Sequence, residues 1–471
     1  MADGLRLYHA LPYPLKVLAA SARGYHLRGW RYGADHEQLV EAALERESWP
    51  PERWQTWQEE RLAYVLHRAA TRVPYYRRMW AKRRRKGQRA SWEYLENWPV
   101  LEKEPLRAHP RAFLADDCHP RAMFHEHTSG TTGKSLDLWW SRETVRAWYA
   151  LAEARSRRWY GVSRRDRWAM LGGQLVAAAA RARPPFWVWN HGLNQLYLSV
   201  YHLSPELIPA YVDALVRYRV RYLWGYPSAL YALAREVLRL GWVDVEMQVA
   251  VANAEPVYEH QRQTVERAFH SPLRETYGMA EIVAAASECG HGGLHLWPEV
   301  GVVEVLAGRD PLPRGQAGDL VCTGLLNADM PLIRYRVGDR GALAAAEGCA
   351  CGRGLPLLAA VEGRQDDVLY TPDGRAVGRL DPVFKARLPV IEAQIIQEAL
   401  ERVRVRYVPA ADYTPDAGRS IIERLQARMD GVQVVLEPVS RIPREPNGKF
   451  RAVVSRLSAD ERARVRAGIR R

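Results

Sequence analysis

A regular alternation of short apolar runs and longer amphipathic segments between residues 168 and 269 constrains the fold of this chain more than any other feature. The runs Trp168–Leu171, Arg221–Trp224 and Gln248–Ala252 have the length and composition of buried strands. The segments between and after them have helical signals, at residues 204–216, 227–240 and 256–269. Strands that alternate with helices are typical of a sheet whose two faces are covered. The sequence therefore predicts an α/β fold.

The regions on either side of this alternation are organised differently. Residues 1–115 have mostly helical patterns, and strand patterns dominate from Val302 to Tyr335. Beyond a break at Glu362–Arg364, strand, helix and strand patterns follow at 403–407, 420–429 and 432–436. A chain of 471 residues is also too long for one ordinary core. We expect a large domain over residues 1–363, with mixed sheets and covering helices, and a small, mobile α+β domain over residues 364–471.

The chain has an excess of basic residues, with 68 lysines and arginines against 54 acidic residues. Such an excess is a feature of many nucleic-acid-binding proteins. Here the basic residues are dispersed, apart from one cluster at Lys82–Lys86 that we interpret as a solvated loop, and no nucleic-acid-binding module accompanies them. We therefore expect no nucleic-acid partner. Anionic substrates and an acidic membrane surface are secondary explanations of the charge.

Composition and cysteine content favour a cytoplasmic location. Apolar residues make up 47% of the chain and charged residues 26%, as in soluble globular proteins. No apolar run is long enough to span a bilayer, and Met1–Gly4 lacks a basic, apolar signal region. Five cysteines are too few for a disulfide framework in a chain of this length. The sequence indicates nothing about the oligomeric state.

The segment His127–Ser135 combines two glycines, five hydroxyl residues and a lysine. Glycines allow close approach of the backbone, hydroxyls donate hydrogen bonds and a lysine adds positive charge, which together suit phosphate oxygens. A Walker P-loop has a glycine five residues before its Gly-Lys pair, and that position here is Thr128. We therefore predict a phosphate-binding loop that is not of the kinase or GTPase type, formed by Thr128, Ser129, Gly130, Thr131, Thr132, Gly133 and Lys134.

Four later segments extend the prediction of nucleotide binding. Tyr277–Glu281 offers an aromatic platform for a purine and a carboxylate for Mg²⁺. Asp339, in Tyr335–Asp339, is suited to accept hydrogen bonds from ribose hydroxyls. Gly363–Asp367 lies on the expected domain boundary, and Lys449 follows a glycine near the C-terminus. Each segment is weak evidence alone, but their joint occurrence in this order is specific.

In this order the motifs resemble those of the adenylate-forming superfamily, which contains acyl-CoA synthetases, adenylation domains and luciferases. The resemblance covers most of the chain. Pro74–Tyr76, Gly225–Ser228 and Gln394–Gln397 resemble in particular the CapK-type members of the phenylacetate–CoA ligase branch, which are associated with capsular polysaccharide loci. The resemblance implies a large AMP-binding domain followed by a small lid domain.

The resemblance also implies a role for each motif in the large domain. Residues 128–134 are implied to hold the ATP phosphates, with Lys134 as a catalytic residue. Ala254 and Glu255 correspond to the segment that lines the adenine, and Tyr277, which precedes Gly278, to the residue that stacks on it. Glu281 corresponds to the Mg²⁺ ligand.

The remaining correspondences lie toward the C-terminus. Asp339 is similar to the ribose-binding aspartate, and Arg364 to its neighbour at the domain junction. Asp366 matches the hinge about which the small domain rotates, and Lys449 matches the lysine that enters the site during adenylation.

The implied function is that of an ATP-dependent, AMP-forming ligase, which converts a carboxylic acid to an acyl-AMP and passes the acyl group to CoA or another acceptor. Residues Tyr370–Arg375 differ from the small-domain strand typical of phenylacetate–CoA ligases and look like the CapK-type end, which leaves the role of CoA open. Two alternatives therefore stand: a CapK-like adenylyltransferase that leaves AMP on a non-carboxylate substrate, and a polysaccharide-biosynthesis protein with reduced activity. The sequence does not specify the acid.

Two pairs of residues, each among glycines, have the spacing of a metal site. Cys289 and His295 form a Cys-x5-His pair, and Cys349 and Cys351 form a Cys-x-Cys pair. Three thiolates and an imidazole suit a tetrahedral Zn²⁺, and the branch includes members with a similar pattern and a structural zinc. His291 is an alternative to His295, and ordinary buried cysteines with surface histidines are the rival interpretation. We expect the other two cysteines, Cys118 and Cys322, to be plain core residues.

Overall fold

The computed structural model describes residues 7–127, 136–178, 181–242, 245–346, 348–364, 369–372, 376–377, 389–426, 429, 431–445 and 448–468. Its helices are α1 (Tyr13–Arg31), α2 (His36–Glu45), α3 (Pro51–Arg72), α4 (Pro74–Arg85), α5 (Lys103–Ala108), α6 (Arg142–Ser156), α7 (Ile208–Arg217), α8 (Pro227–Arg239), α9 (Glu259–Phe269), α10 (Pro415–Gln426) and α11 (Ala459–Gly468).

Its strands are β1 (Phe124–His127), β2 (Asp137–Trp140), β3 (Trp168–Gly172), β4 (Trp187–Asn190), β5 (Gln195–Ser199), β6 (Tyr222–Gly225), β7 (Val249–Ala252), β8 (Leu273–Gly278), β9 (Ala285–Glu288), β10 (Leu294–Leu296), β11 (Gly301–Ala307), β12 (Asp310–Pro311), β13 (Gly318–Gly324), β14 (Tyr335–Leu343), β15 (Leu357–Arg364), β16 (Leu369–Tyr370), β17 (Ala376–Val377), β18 (Val390–Ala399), β19 (Arg402–Pro409), β20 (Gln433–Pro438) and β21 (Val453–Ser455).

One large sheet of thirteen strands organises the main body, in the order β12-β11-β13-β14-β15-β10-β9-β8-β7-β6-β3-β5-β4. Strands β5, β3, β6, β7 and β8 are parallel to one another. Strand β8 pairs antiparallel with β9, and the pairs from there to β12 are also antiparallel. The edge strand β4 is antiparallel to β5. The sheet therefore has a parallel part and a larger antiparallel part that meet at β8, which we call the parallel half and the antiparallel half.

The strand–helix alternation predicted between residues 168 and 269 forms the parallel half. Strands β3, β6 and β7 cover the three predicted runs, and helices α7, α8 and α9 lie between and after them. Their apolar side chains share one core, in which Leu171, Leu230 and Phe269 are fully buried. Strands β4 and β5 are additional to the sequence prediction.

Two helix ends follow local sequence signals, and a third helix begins later than the sequence predicts. Ser141 caps α6, since its side chain accepts a hydrogen bond from the Thr144 amide. Gly241 follows α8 with φ +66° and so ends that helix in a left-handed conformation. The helix expected from Ser204 begins instead at Ile208, because the Leu207 and Ile208 amides first form a turn on the Ser204 carbonyl.

The N-terminal region is built from helices, with α1 to α5 spanning Tyr13–Ala108. Residues Val65, Tyr76, Trp98 and Leu106 enter a core shared with the antiparallel half of the sheet. The basic cluster Lys82–Lys86 is the end of α4 and not a loop, which is a favourable position because cations interact well with helix C-termini.

The C-terminal region has a sheet of its own, in the order β20-β19-β18-β21. Ile421 and Leu425 of α10 pack on Ile395, Val403 and Val405 of this sheet. The boundary between residues 363 and 364 stays a prediction. None of the helices in the described residues combines the length and the apolar character needed to cross a bilayer.

Candidate active site

The parallel strands all end at one edge of the large sheet, and the segments that follow them form the floor of the candidate active site. Ligands of open α/β sheets bind at the carboxyl ends of the strands, where the connecting segments are free to diverge. The segments that follow β3, β5, β6, β7 and β8 contribute Gly173, Val200, Tyr226, Glu255 and Met279, respectively.

Tyr277 and Asp339 are brought together from the two halves of the sheet. Tyr277 lies near the end of β8 and Asp339 lies on β14, and the tyrosine hydroxyl donates a 2.8 Å hydrogen bond to Asp339 Oδ2. Burial and the Asp339 carboxylate raise the pKa of Tyr277 well above its usual range. The phenol is therefore neutral and available as a donor near pH 7. The residues predicted for adenine and ribose are thus direct neighbours.

Glu281 lies in the turn that follows Gly278 and is held by two partners that the sequence analysis did not identify. The Tyr335 hydroxyl donates to Glu281 Oε1 at 2.9 Å, and the Lys103 Nζ lies 3.6 Å from the same oxygen. The turn continues into Ile282 with φ +44°, a conformation that β-branched residues rarely adopt. Strained backbone of this kind is concentrated at functional sites.

Glu255 is placed by an unusual backbone conformation in the segment that follows β7 and by the start of α8. Ala254 has φ +66°, which turns the chain so that the Glu255 carboxylate meets the start of α8. Glu255 Oε2 accepts a 3.1 Å hydrogen bond from the Ser228 amide, in the first turn of that helix. Amides of a first helical turn have no intrahelical partner and favour anions.

The second oxygen of Glu255 contacts the C-terminal region. Glu255 Oε1 accepts a 2.6 Å hydrogen bond from the backbone amide of Phe450, the residue after Lys449. Burial raises the pKa of Glu255 above its ordinary value, although the Phe450 and Ser228 amides act in the opposite direction. The sequence predicts that Glu255 lines the adenine, and in the structure its carboxylate accepts hydrogen bonds from two backbone amides.

Lys449 belongs to a tight turn that rests on the floor of the site. We call Glu445, Gly448, Lys449 and Phe450 the Lys449 turn. The Gly448 amide donates to the Glu445 carbonyl at 2.8 Å, and the Glu445 amide donates to the Lys449 carbonyl at 3.0 Å. Gly448 has φ +79°, and a Cβ added to it would lie 2.5 Å from Val200 Cγ2 and 3.2 Å from Gly173 Cα. Only glycine fits there without displacement of the turn or the floor.

Some predicted residues are not placed by the structure. Thr128, Ser129, Gly130, Thr131, Thr132, Gly133, Lys134 and Asp366 lie outside the described residues. Strands β1 and β2 flank the predicted phosphate-binding loop and pair antiparallel with each other. The pairs run from His127 with Asp137, next to the loop, to Phe124 with Trp140. The backbone of Arg364 lies opposite Asp339 in the register of β14 and β15, so these two residues predicted to bind the nucleotide are neighbours in the sheet.

Cys289, His295, Cys349 and Cys351 converge on one point, which we call the Cys/His cluster. Their ligand atoms all lie within 4.8 Å of one another. Cys289 Sγ is 3.6 Å from Cys349 Sγ, and Cys351 Sγ is 3.2 Å from His295 Nε2. The first distance is far longer than a disulfide bond, which is about 2.0 Å. The four side chains therefore come together without covalent pairing.

The donor set and its spacing fit a tetrahedral Zn²⁺. With Zn–S bonds of about 2.3 Å, neighbouring sulfur ligands of such an ion are roughly 3.8 Å apart. Burial lowers the pKa of His295, so the ring is neutral near pH 7, and its Nδ1 lies 3.2 Å from the Leu355 carbonyl. That contact favours a proton on Nδ1 and leaves Nε2 as the ligand atom. The alternative His291 contributes only its backbone amide, which donates to Cys289 Sγ at 3.4 Å.

The other two cysteines differ in environment. Cys322 is completely buried, as expected, whereas Cys118 is half-buried beside Asp117 and Arg68 and so is not the core residue that was predicted.

Comparisons with known proteins identify relatives of both regions. Residues 369–456 match the family model of the CapK C-terminal domain. The chain is 23% identical over 400 residues to protein CapK of Staphylococcus aureus, with 81% of this chain and 85% of that protein covered. It is 29% identical over 463 residues to the phenylacetate-coenzyme A ligase of Thermus thermophilus, with 87% of this chain and 98% of that protein covered.

Solved structures confirm the fold class. 2-Hydroxyisobutyryl-CoA ligase in the postadenylation state, bound to R3-HIB-AMP, has a TM-score of 0.66 and 21% identity, and covers 90% of this chain and 94% of its own. The same ligase with 2-HIB-AMP and CoA, in the thioesterification state, has a TM-score of 0.52 and 22% identity, and covers 87% of this chain and 91% of its own. At these identities the similarity establishes the fold, a large α/β body followed by a small C-terminal domain.

Proposed function

We propose that this chain, which belongs to the adenylate-forming superfamily and within it to the branch of the phenylacetate–CoA ligases and CapK, is an ATP-dependent ligase of a carboxylic acid. In the first half-reaction, the acid attacks the α-phosphorus of ATP, and an acyl-adenylate and pyrophosphate are formed. In the second, a thiol or another nucleophile attacks the acyl carbon and AMP leaves.

The position of the Lys449 turn carries this proposal. A residue near the end of the chain lies over the carboxyl ends of the parallel strands, on the same sheet edge as Tyr277 and Glu281. Adenylation develops negative charge on the phosphates as pyrophosphate leaves, and a lysine held at this edge is suited to stabilise that charge. Because Lys449 lies in the connection between β20 and β21 of the separate small sheet, it is also able to withdraw before the second half-reaction.

We assign the nucleotide to the paired residues Tyr277 and Asp339. In this assignment the Tyr277 ring packs on the adenine and the Asp339 carboxylate accepts the ribose hydroxyls. The hydrogen bond from the Tyr277 hydroxyl to Oδ2 holds the carboxylate in one orientation, which reduces the entropy lost when ATP binds. Ala254, Gly278 and Arg364 would border the nucleotide, and residues 128–134 would hold its β- and γ-phosphates.

Glu281 would hold Mg²⁺. Its polar contacts with the described residues Tyr335 and Lys103 both involve Oε1. They hold the carboxylate in place and leave Oε2 to bind a cation. Bound there, Mg²⁺ would neutralise charge on the departing pyrophosphate. Lys103, which approaches the same carboxylate, balances its charge before the metal and the nucleotide arrive.

We further propose that the Cys/His cluster holds a structural Zn²⁺. The cluster joins the β9–β10 hairpin, which contains Cys289, to the connection between β14 and β15, which contains Cys349 and Cys351. Strand β14 also carries Asp339, so the ion would stabilise the part of the sheet that positions the ribose contact. Its four protein ligands leave no open position for catalysis.

CoA is the acceptor that we propose for the second half-reaction. The phenylacetate-coenzyme A ligase of T. thermophilus and 2-hydroxyisobutyryl-CoA ligase support this choice. Residues 369–456 match the CapK C-terminal domain, and for this reason we keep a second candidate function. In it, AMP is transferred to a non-carboxylate substrate and stays on the product. We propose the cytoplasm as the compartment, since ATP and CoA are available there.

Pyrophosphate release across a panel of aliphatic and aromatic carboxylic acids, measured with and without CoA, tests the proposed function. A ligase releases pyrophosphate with particular acids and releases AMP only when CoA is added. Pyrophosphate release that leaves stable AMP on a product without a carboxylate would support the transferase. A purified protein with bound Zn²⁺ that releases no pyrophosphate with any acid or any polar acceptor would contradict both.

A further inference from the structure

We propose that Glu255 is the positioning residue that holds the Lys449 turn over the active site during adenylation, and that it is not a contact to the adenine. This inference rests on the proposed function, because it assigns a purpose to the docked position of Lys449. It concerns the backbone of the turn, since the Glu255 carboxylate bonds to the peptide group between Lys449 and Phe450.

The two oxygens of Glu255 have different partners, which join the two regions of the chain. Oε2 is anchored by the Ser228 amide at the start of α8, and Oε1 accepts from the Phe450 amide at 2.6 Å. The carboxylate therefore links the fixed body of the large sheet to the turn that contains the lysine. A hydrogen bond to an ionised acceptor is about twice as strong as one between neutral groups.

Shape complementarity beneath the turn adds to this polar contact. Gly448 packs directly on Val200 and Gly173, which follow β5 and β3, while Phe450 bonds to Glu255, which follows β7. The turn is thus supported at two separated points of the sheet edge. Such support fixes its position along the edge, and hence where the Lys449 backbone lies relative to Tyr277 and Glu281.

The environment of Glu255 also favours a contact that is able to break. Burial raises the pKa of this carboxyl despite the Phe450 and Ser228 donors and the nearby Arg444 charge, which means that these groups do not fully compensate for its desolvation. When the turn withdraws, the carboxylate regains water.

Glu255→Gln is the informative substitution. The glutamine amide has one acceptor oxygen and one NH₂ group, so it is unable to accept from both the Ser228 and the Phe450 amides. Glu259→Gln is the matched control, because Glu259 is an exposed glutamate in the first turn of α9. Both variants lose one negative charge, but only the first alters the support of the Lys449 turn.

Amide hydrogen exchange tests the contact without a substrate. In Glu255→Gln we expect a peptide that contains the Phe450 amide to exchange roughly 10-fold or more faster than in the wild type. Peptides from β18 and β19 should be unchanged, and Glu259→Gln should behave as wild type. Unchanged exchange at Phe450 in Glu255→Gln would overturn the proposal, whatever the enzyme is found to catalyse.

The two half-reactions separate positioning from a merely structural role. With an acid found in the panel, Glu255→Gln should lower ATP–pyrophosphate exchange by roughly 10- to 100-fold. Thioester formation from acyl-adenylate supplied in advance should change by less than about twofold, because the turn is withdrawn in that step. An equal loss in both half-reactions would show that Glu255 only stabilises the fold. An effect confined to the KM for ATP would show instead that Glu255 contacts the adenine.

Discussion

The Cys/His cluster and the Lys449 turn both join segments far apart in the sequence, and they do so by different means. The cluster brings together four side chains whose ligand atoms lie within 4.8 Å, three of them thiols that a metal would bind as anions. The turn bonds to the Glu255 carboxylate and packs on Val200 and Gly173 through Gly448. Under the proposed function, the cluster fixes the antiparallel half of the sheet, which carries Asp339, whereas the contacts of the turn form and break in each turnover.

Substitution of the lysine itself should have the largest effect. Lys449→Ala is expected to lower ATP–pyrophosphate exchange at least about 10²-fold, equivalent to roughly 3 kcal/mol, because charge on the departing pyrophosphate is no longer stabilised. The unfolding temperature should not change, since the turn adds little to the core. Lys86→Ala, at the exposed end of α4, is the control. Undiminished exchange in Lys449→Ala would remove Lys449 from the mechanism.

Loss of the metal should act on stability instead. Removal of Zn²⁺ by a chelator, or Cys351→Ser, is expected to lower the free energy of unfolding by about 2–3 kcal/mol and the unfolding temperature by roughly 5 °C or more. Elemental analysis should find one zinc per chain in the wild type. Cys118→Ser, outside the cluster, should retain both the metal and the stability. Absence of stoichiometric zinc together with freely titratable thiols would refute the metal site.

A methyl group under the turn should have an intermediate effect. Gly448→Ala places a Cβ 2.5 Å from Val200 Cγ2 at a residue with φ +79°, and we expect adenylation to fall by roughly 10-fold, equivalent to ~1.4 kcal/mol. Gly431→Ala is a matched control, since Gly431 has φ +76° but its nearest contact is 3.5 Å away. It experiences the same backbone strain without the close approach. Similar activity in the two variants would show that the support of the turn is not steric.

The smallest change removes one hydroxyl from the nucleotide site. Tyr277→Phe keeps the aromatic ring but loses the 2.8 Å hydrogen bond to Asp339, so the KM for ATP should rise by about fivefold, equivalent to ~1 kcal/mol. Tyr277→Leu, which also loses the ring, should raise it further. Identical values for the two variants would mean that the ring does not contact the base.

Much of the fold was predictable because its signals are local. The runs around β3, β6 and β7 depend on short-range periodicity, and the structure confirms them. Strands β4 and β5 were missed because their aromatic and polar residues, such as Trp189 and Gln195, lack clear alternation. Their identity as strands depends on pairing with each other and with β3, which is a property of the sheet.

The site was predictable where its residues belong to recognisable sequence motifs. Tyr277, Asp339 and the four members of the Cys/His cluster were identified in advance and are brought together as pairs or clusters. Lys103 and Tyr335 were not identified as partners of Glu281. Lys103 is 178 positions from Glu281 and Tyr335 is 54 positions away, and nothing in their local sequence indicates contacts over such separations. The hydrogen bonds of the Glu255 carboxylate were not predicted for the same reason, since a sequence motif does not show which backbone amides a side chain meets.

The use of backbone amides by Glu255 has a consequence for how this chain is able to diverge. Two of its hydrogen bonds come from main-chain N–H groups at positions 228 and 450, which every residue except proline supplies, and the Ser228 side chain is a further donor. The side chain at position 450 is therefore free to change without loss of the contact, and a change at position 228 removes only the hydroxyl contribution. Persistence of the contact would be recorded mainly at position 255, by a single acidic residue.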